Sequence, residues 1–220
     1  MAKVTLTFDN GPTVDATPMV LEELKRRGLH AYFCLVASQL LKGQEQIDIA
    51  NQTQAEGHVL VNHSLTHGTA LGDDPSTAHA EREVAEAHAI LDERVNDWRA
   101  RWFRPFGRGG ELGRHLLSRA SMSHFEAVGY SVLLWNSVPR DWENIHGWME
   151  TAHAQLSEQD HGVIVLHDLN TGAMEHLGQF LDDVLRTHEP TLDLPDDCVP
   201  IRNGSVAWSD DRFEAIITEH

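Results

Sequence analysis

The sequence predicts an α/β fold: a parallel sheet or barrel of repeated strand–helix units, slightly short of the usual eight strands. Three observations carry this. Strand-like and helix-like segments alternate from one end of the chain to the other. Two of the strand-like runs, 31–36 and 162–166, are apolar almost throughout, as in strands covered on both faces. The 220 residues suffice for one sizeable core, and no linker, repeat or low-complexity stretch divides them. A single domain over residues 1–220 is expected.

The first strand is Val4 to Phe8, where Val4, Leu6 and Phe8 alternate with Thr5 and Thr7 and give one apolar face. It runs into Asp9-Asn10-Gly11-Pro12, which must turn the chain. A helix over 17–27 carries Met19, Val20, Leu21 and Leu24 and stops at Gly28. The strand at 31–36 precedes a second helix over 45–56, again followed by glycine. His58 to Asn62 is a third strand and delivers His63-Ser64-Leu65-Thr66-His67. A long helix over 75–95 buries Val84, Ala87, Ile90, Leu91 and Val95. A short strand at 101–103 leads to the glycine-rich loop 107–110, and one or two short helices follow in 112–128. A strand at 130–135, a helix over 145–156, the strand at 162–166 and a helix over 173–188 complete the alternation, with Val199 and Ile201 in a last short strand.

Composition narrows the classes. Apolar residues make up 41% and charged residues 23%, as in ordinary soluble globular proteins. A formal charge of −17 argues against nucleic acid and anionic membrane surfaces, which need basic patches. Cys34 and Cys198 lack metal or disulfide spacing and read as buried free thiols. The chain opens Met-Ala-Lys and goes directly into a strand, with no leader pattern and no membrane-spanning run, so a cytoplasmic location is expected.

The chemistry-bearing residues all follow strands: Asp9 and Asn10, His63 and His67, Arg104, Asp141 and Trp142, His167 and Asp168. In α/β folds the carboxyl ends of strands form the working face. His63 and His67, spaced for one face of a helical turn, are able to share a metal ion. In a chain with fifteen histidines the plainer reading is a solvated pair, and placement after an apolar strand beside Asp9 and Asn10 is what favours the metal. His167 reads either as a satisfied core histidine or as a general acid. Arg104 reads as an ion-pair partner or as the group that holds Asp9 ionised, and Trp142 as core or as a pocket wall. The loop 107–110 lacks the Lys-Ser/Thr of a P-loop, which excludes that form of nucleotide binding.

Thr7-Phe8-Asp9-Asn10-Gly11-Pro12, His63-Ser64-Leu65-Thr66-His67, Phe103-Arg104-Pro105-Phe106-Gly107, Arg140-Asp141-Trp142 and Leu166-His167-Asp168 stand in that order. Together they resemble the five ordered motifs of the NodB-type polysaccharide deacetylases, carbohydrate esterase family 4. The resemblance implies a distorted (β/α)7 barrel that hydrolyses N-acetyl or O-acetyl groups on sugars with a divalent metal, usually zinc. It implies Asp9 as general base, His167 as general acid, and His63, His67 and Asn10 as metal ligands. Arg104 would orient Asp9 and Asp141 would tune His167. Phe106 would offer its backbone N–H to the oxyanion, and Trp142 and Leu166 would line the pocket. Two departures stand out. Asn10 occupies the place of a metal-binding aspartate, and an amide oxygen binds a divalent ion less tightly than a carboxylate. The motif at Arg104 is one residue shorter than the usual Arg-Pro-Pro-Tyr form. The missing leader pattern and the changed ligand set count against a cell-wall glycan, and the expected substrate is a small or intracellular amide at least as much as a glycan. A metal-free cyclic amide hydrolase of the allantoinase-like branch and an inactive binding module on the same fold are the alternatives. Specificity is expected in the loops 68–76, 106–122 and 169–175.

Overall fold

The computed structural model describes residues 1–219, and His220 lies outside the described residues. In chain order the first half contains β1 (Ala2–Asp9), α1 (Ala16–Arg26), β2 (Tyr32–Leu35), α2 (Gln44–Ala55), β3 (Val59–Asn62), α3 (Thr77–Ala80), α4 (Ala87–Arg94) and β4 (Trp102–Phe103). The second half contains β5 (Leu117–Ser118), α5 (Arg119–Val128), β6 (Ser131–Val132), α6 (Trp148–Ser157), β7 (His161–His167) and α7 (Leu177–Val184). β8 (His188–Pro190), β9 (Ile201–Arg202), β10 (Ser205–Val206), α8 (Asp210–Glu214) and β11 (Ile217–Thr218) follow.

One sheet runs β10-β9-β6-β4-β3-β2-β1-β7, with β8 also paired to β1. From β6 to β7 every pairing is parallel, whereas β9 runs antiparallel to β6 and to β10. The sheet is thus mixed, which corrects the all-parallel expectation. Asn203 and Gly204, both at positive φ, 49° and 81°, form the two-residue turn that sets β10 antiparallel to β9. The sheet curls into a half-barrel and is drawn shut along one seam. There Ser137 bridges Ile164, the Val165 N–H donates to the Ser137 carbonyl at 2.9 Å, and the Asn136 amide binds the His161 carbonyl at 2.9 Å and the Val163 N–H at 2.7 Å.

The period of two along each strand divides inside from outside. Val4, Leu6, Phe8, Ile164 and Leu166 join the main core, to which α1 adds Val20, Leu21 and Leu24 and α7 adds Phe180, Leu181 and Val184. Each such side chain contributes about 1.5–3 kcal/mol on burial. The opposite face holds a smaller cluster of Tyr32, Cys34, Val61, Leu133, Val163 and Cys198. Thr5 and Thr7 are buried as well, so β1 is covered on both faces. Their hydroxyls donate to the Asp193 and Ile164 carbonyls, each at 2.7 Å, which makes that burial tolerable. Both cysteines are buried free thiols, as expected.

Two expected helices are interrupted. The run over 75–95 contains a π-helical stretch, Glu81–Glu86, between α3 and α4. The run over 173–188 begins as a 3-10 turn, Ala173–His176, continues as α7, and gives way to β8. Among the described residues no helix is long and apolar enough to cross a membrane.

The turn after β1 depends on close approach. Asn10 takes φ 81°, a left-handed conformation asparagine tolerates, and its N–H donates to the Cys34 carbonyl at 3.1 Å. A Cβ on Gly11 would stand 2.1 Å from a carboxyl oxygen of buried Asp168. Gly11→Ala is therefore expected to destabilise the fold by about 1–3 kcal/mol through overpacking. Its urea midpoint against wild type checks this, and an unchanged midpoint would show that the turn has slack.

Candidate active site

The inward positions at the carboxyl ends of the strands supply the site. On β1 the inward series Thr5, Thr7 ends in Asp9, and on β7 Val163, Val165 ends in His167. Asp9 and His167 are register partners on neighbouring strands. His63 follows β3, and Arg104 follows β4, its N–H donating to the Asn62 carbonyl at 2.9 Å. Asp9, Asn10, His63, His67, Phe106, Trp142 and His167 all line one open cavity of about 630 Å³. Arg104 and Asp141 stand fully buried behind that wall.

Leu166 does not line the cavity; it is buried in the main core opposite Phe8. Since His167 faces inward, the period of two sends Leu166 outward, and the pocket is lined by Val165 and Leu169 instead. The expected helical turn at 63–67 is also absent. Ser64 and His67 have positive φ, 72° and 54°, and the segment is a loop that brings the two imidazoles to 4.9 Å between centroids. His67 stacks on Phe106 at 4.1 Å. Trp135, read from sequence only as part of a strand, lines the pocket and lies under the Arg104 guanidinium at 5.2 Å. Loop residues Gly68, Thr69, Ala70 and Asp73, with Arg108 to Gly110 and Leu169, complete the rim, within the segments expected to set specificity.

Two acid–base pairs face each other here. Asp9 Oδ2 lies 3.6 Å from Arg104 Nη1 and 3.6 Å from His63 Nε2. Burial alone would raise the Asp9 pKa, but the Arg104 guanidinium, with smaller contributions from the neighbouring His63 and His167 imidazoles, prevails and holds it below the ordinary carboxylate value. His167 Nδ1 is 2.8 Å from Asp141 Oδ1, and the His167 N–H donates to Asp141 Oδ2 at 3.0 Å. Burial disfavours the imidazolium, yet the Asp141 hydrogen bond and charge outweigh it and raise the His167 pKa. Trp142 meets the His167 ring edge-on at 4.6 Å. Asp168, next in sequence, is pushed up to about 7 by burial, and Thr17 donates its hydroxyl to it.

The histidine pair is suited to ligation. His63 Nδ1 is 2.8 Å from the Arg104 carbonyl. A carbonyl only accepts, so Nδ1 carries the proton and Nε2 keeps a free lone pair. Burial drives the His63 pKa down to about 3 and also lowers that of His67, so both rings are neutral at physiological pH. His63 Nε2 and Asn10 Oδ1 are buried without a hydrogen-bond partner. Among the described residues no three His, Cys, Asp or Glu side chains converge as a metal site. Asn10 Oδ1 is an unpaired oxygen lining the same pocket, and two imidazoles with one oxygen would suit zinc or a similar ion.

The sequence profile of the polysaccharide deacetylase family matches residues 2–124. A peptidoglycan-N-acetylglucosamine deacetylase of Bacillus cereus is 26% identical over 165 residues, 75% of this chain and 72% of its own length. A second protein of that description from the same organism is 27% identical over 186 residues, 84% of this chain and 62% of its own. The chain thus spans only part of its relatives' length. A family 4 acetyl xylan esterase from Clostridium thermocellum, solved with a cobalt ion, superposes with a TM-score of 0.68 at 22% identity, covering 86% of each chain.

Proposed function

The chain belongs to the polysaccharide deacetylase family, and on that premise we propose that it removes N-acetyl groups from a glycan or a small sugar amide with the help of a divalent metal. The family places it among hydrolases that act on carbon–nitrogen bonds other than peptide bonds. The observation that carries the reading is the opposition of two unlike pairs across one pocket, Asp9 with Arg104 and His167 with Asp141. One is set to stay ionised and the other to stay protonated, as a base and an acid must be.

In this reading Asp9 accepts a proton from the attacking water. His167 donates its Nδ1 proton to Asp141 in a hydrogen bond, which leaves Nε2 to protonate the leaving amine. Arg104 keeps Asp9 charged, and Trp142 fixes the edge of the His167 ring. A divalent ion held by His63, His67 and Asn10 would polarise the acyl carbonyl and acidify water.

The test is acetate release from N-acetylated chitooligosaccharides by the purified protein, after chelation and after zinc or cobalt is restored. Activity lost on chelation and regained with metal is expected. Full activity in the chelated protein would refute metal dependence, and no release from any N-acetylated sugar would refute the substrate class. Asn10→Asp bears on the same site. It returns a negative charge to the donor set, so metal affinity is expected to rise on the order of tenfold. Titration against a chromophoric chelator measures it, and unchanged affinity would place Asn10 outside the ligand set.

A further inference from the structure

Glu83 is fully buried, 21 residues beyond the end of β3, and the proposed chemistry makes no use of it. It sits in the π-helical stretch Glu81–Glu86. A helix that closes one residue wider turns its side chains relative to an ordinary α-helix, and such bulges occur often at functional sites. Here the carboxylate is turned onto the loop between the two histidines. Oε2 accepts the Thr66 N–H at 2.9 Å and Oε1 accepts the Thr66 hydroxyl at 2.9 Å. The Glu83 carbonyl accepts the Leu65 N–H at 3.1 Å, and Arg82 Nε lies 3.2 Å from Oε1.

The loop needs this support. Ser64 and His67 both hold left-handed backbone conformations that side chains other than glycine rarely adopt. Such residues persist where the surroundings over-determine them. The Asn62 carboxamide oxygen accepts the Ser64 N–H at 3.0 Å, and Ser64 Oγ accepts the His67 N–H at 3.0 Å. Those two bonds fix the start and end of the turn. In its middle, the Ala37 and Ser38 N–H groups donate to the Ser64 and Leu65 carbonyls, and among the described residues Glu83 is the one side chain from another element that hydrogen-bonds Thr66.

We propose that Glu83 is a positioning residue for the metal ligands: by clamping Thr66 it fixes the loop that sets His67 beside His63. This rests on the reading of His63, His67 and Asn10 as a metal site. The carboxylate does not line the cavity, and its charge also reaches the His67 imidazole, which the charge-free glutamine variant separates from the clamp. A glutamine oxygen accepts the Thr66 N–H as the carboxylate does, and the glutamine amide is able to donate to the Thr66 hydroxyl.

The experiment measures zinc affinity of the purified protein by competition with a chromophoric chelator, alongside thermal unfolding of the metal-free protein. Glu83→Ala is expected to weaken zinc binding about 10- to 100-fold, the usual effect of removing a group that orients a ligand. Glu83→Gln is expected to stay within about threefold of wild type, since it restores the clamp without the charge. Glu83→Ala binding as tightly as wild type would overturn the proposal while the metal site stands. Loss of affinity in Glu83→Gln equal to that in Glu83→Ala would overturn it too, since charge would then be the cause. If Glu83→Ala does not fold, Thr66→Ala decides, because Thr66 is exposed and loses only its hydroxyl contacts, to Glu83 and to the Gly68 N–H. Weaker zinc binding supports the clamp, and unchanged binding overturns it. A wild type that binds no zinc would overturn the metal site itself, and the clamp with it.

Discussion

Replacing His167 with alanine is expected to lower kcat about 10²–10⁴-fold, the range for loss of a positioned acid or base. Asp9→Asn is expected to fall in the same range, since it removes the proton acceptor and keeps the shape. Both variants should remain folded at neutral pH. The wild-type pH–rate profile should be bell-shaped. Its acid limb follows protonation of Asp9, whose pKa lies below the ordinary value, and its alkaline limb follows deprotonation of His167, whose pKa lies above it. Asp141→Asn removes the main support of the imidazolium, so it should draw the alkaline limb to lower pH. The sign on stability is also fixed. A histidine whose folded pKa is raised adds stability that is fully present below its unfolded value of 6.5 and is lost as pH rises through the folded value. Steady-state rates from acid to alkaline pH, with urea unfolding of the same proteins, check each statement. Near wild-type turnover in either Asp9→Asn or His167→Ala would mean the roles are misassigned.

Arg104→Met is expected to destabilise the protein by about 3–5 kcal/mol, because it strips a buried carboxylate of its counter-charge. Arg104 is fully buried, and its guanidinium nitrogens have no hydrogen-bond partner, only the Asp9 charge at 3.6 Å and the Trp135 face. Its charge is the largest of the effects that hold the Asp9 pKa down. Without it, burial should raise that pKa above the unfolded value of 3.8. The deficit should then be greatest at neutral pH and shrink as pH falls through the raised value. The double variant Arg104→Met/Asp9→Asn should recover most of the loss, since no unpaired charge remains. Urea unfolding of the full double-mutant cycle measures the coupling. Additive effects would show that Arg104 acts through packing on Trp135 alone.

The polar residues of the site could be read from sequence because strands announce themselves. An apolar run that stops at Asp9, Asn62-His63 or His167 marks a strand end, and parallel strands put such ends on one face. The period of two was enough to send Leu166 to the core, once His167 was taken to face inward. Asn203-Gly204 likewise carried the antiparallel hairpin. Other features had no local signal. Glu83 looks like an ordinary helix glutamate, and only the extra residue in its helical turn aims it at Thr66. Trp135 reads as an apolar strand residue until Arg104, 31 positions away, is found above it. The pairing of β5 with β11 joins segments a hundred residues apart, Leu117 with Ile217. Short strands of that kind are set by packing, with too few residues to show a period.

The seam that draws the sheet shut gives the pocket a mechanical character. β1 and β7 are laddered together from Lys3–His161 to Asp9–His167, whereas the edge beyond β7 is held by the short Ser137–Ile164 bridge, the Asn136 and Ser137 N–H groups on the Val163 carbonyl, the Asn136 carboxamide and the two His167–Asp141 bonds. Partial opening of a folded chain follows its weakest line of contacts. That line runs beneath Trp135, Val138 and Arg140, which form one bank of the cavity, while His167 stands on the other. Opening at the seam would stretch the two His167–Asp141 bonds, so it would couple the width of the cleft to the support of the His167 imidazole. Amide exchange should report it directly, fastest at Ser137 and Val165 and slowest along the β1–β7 ladder.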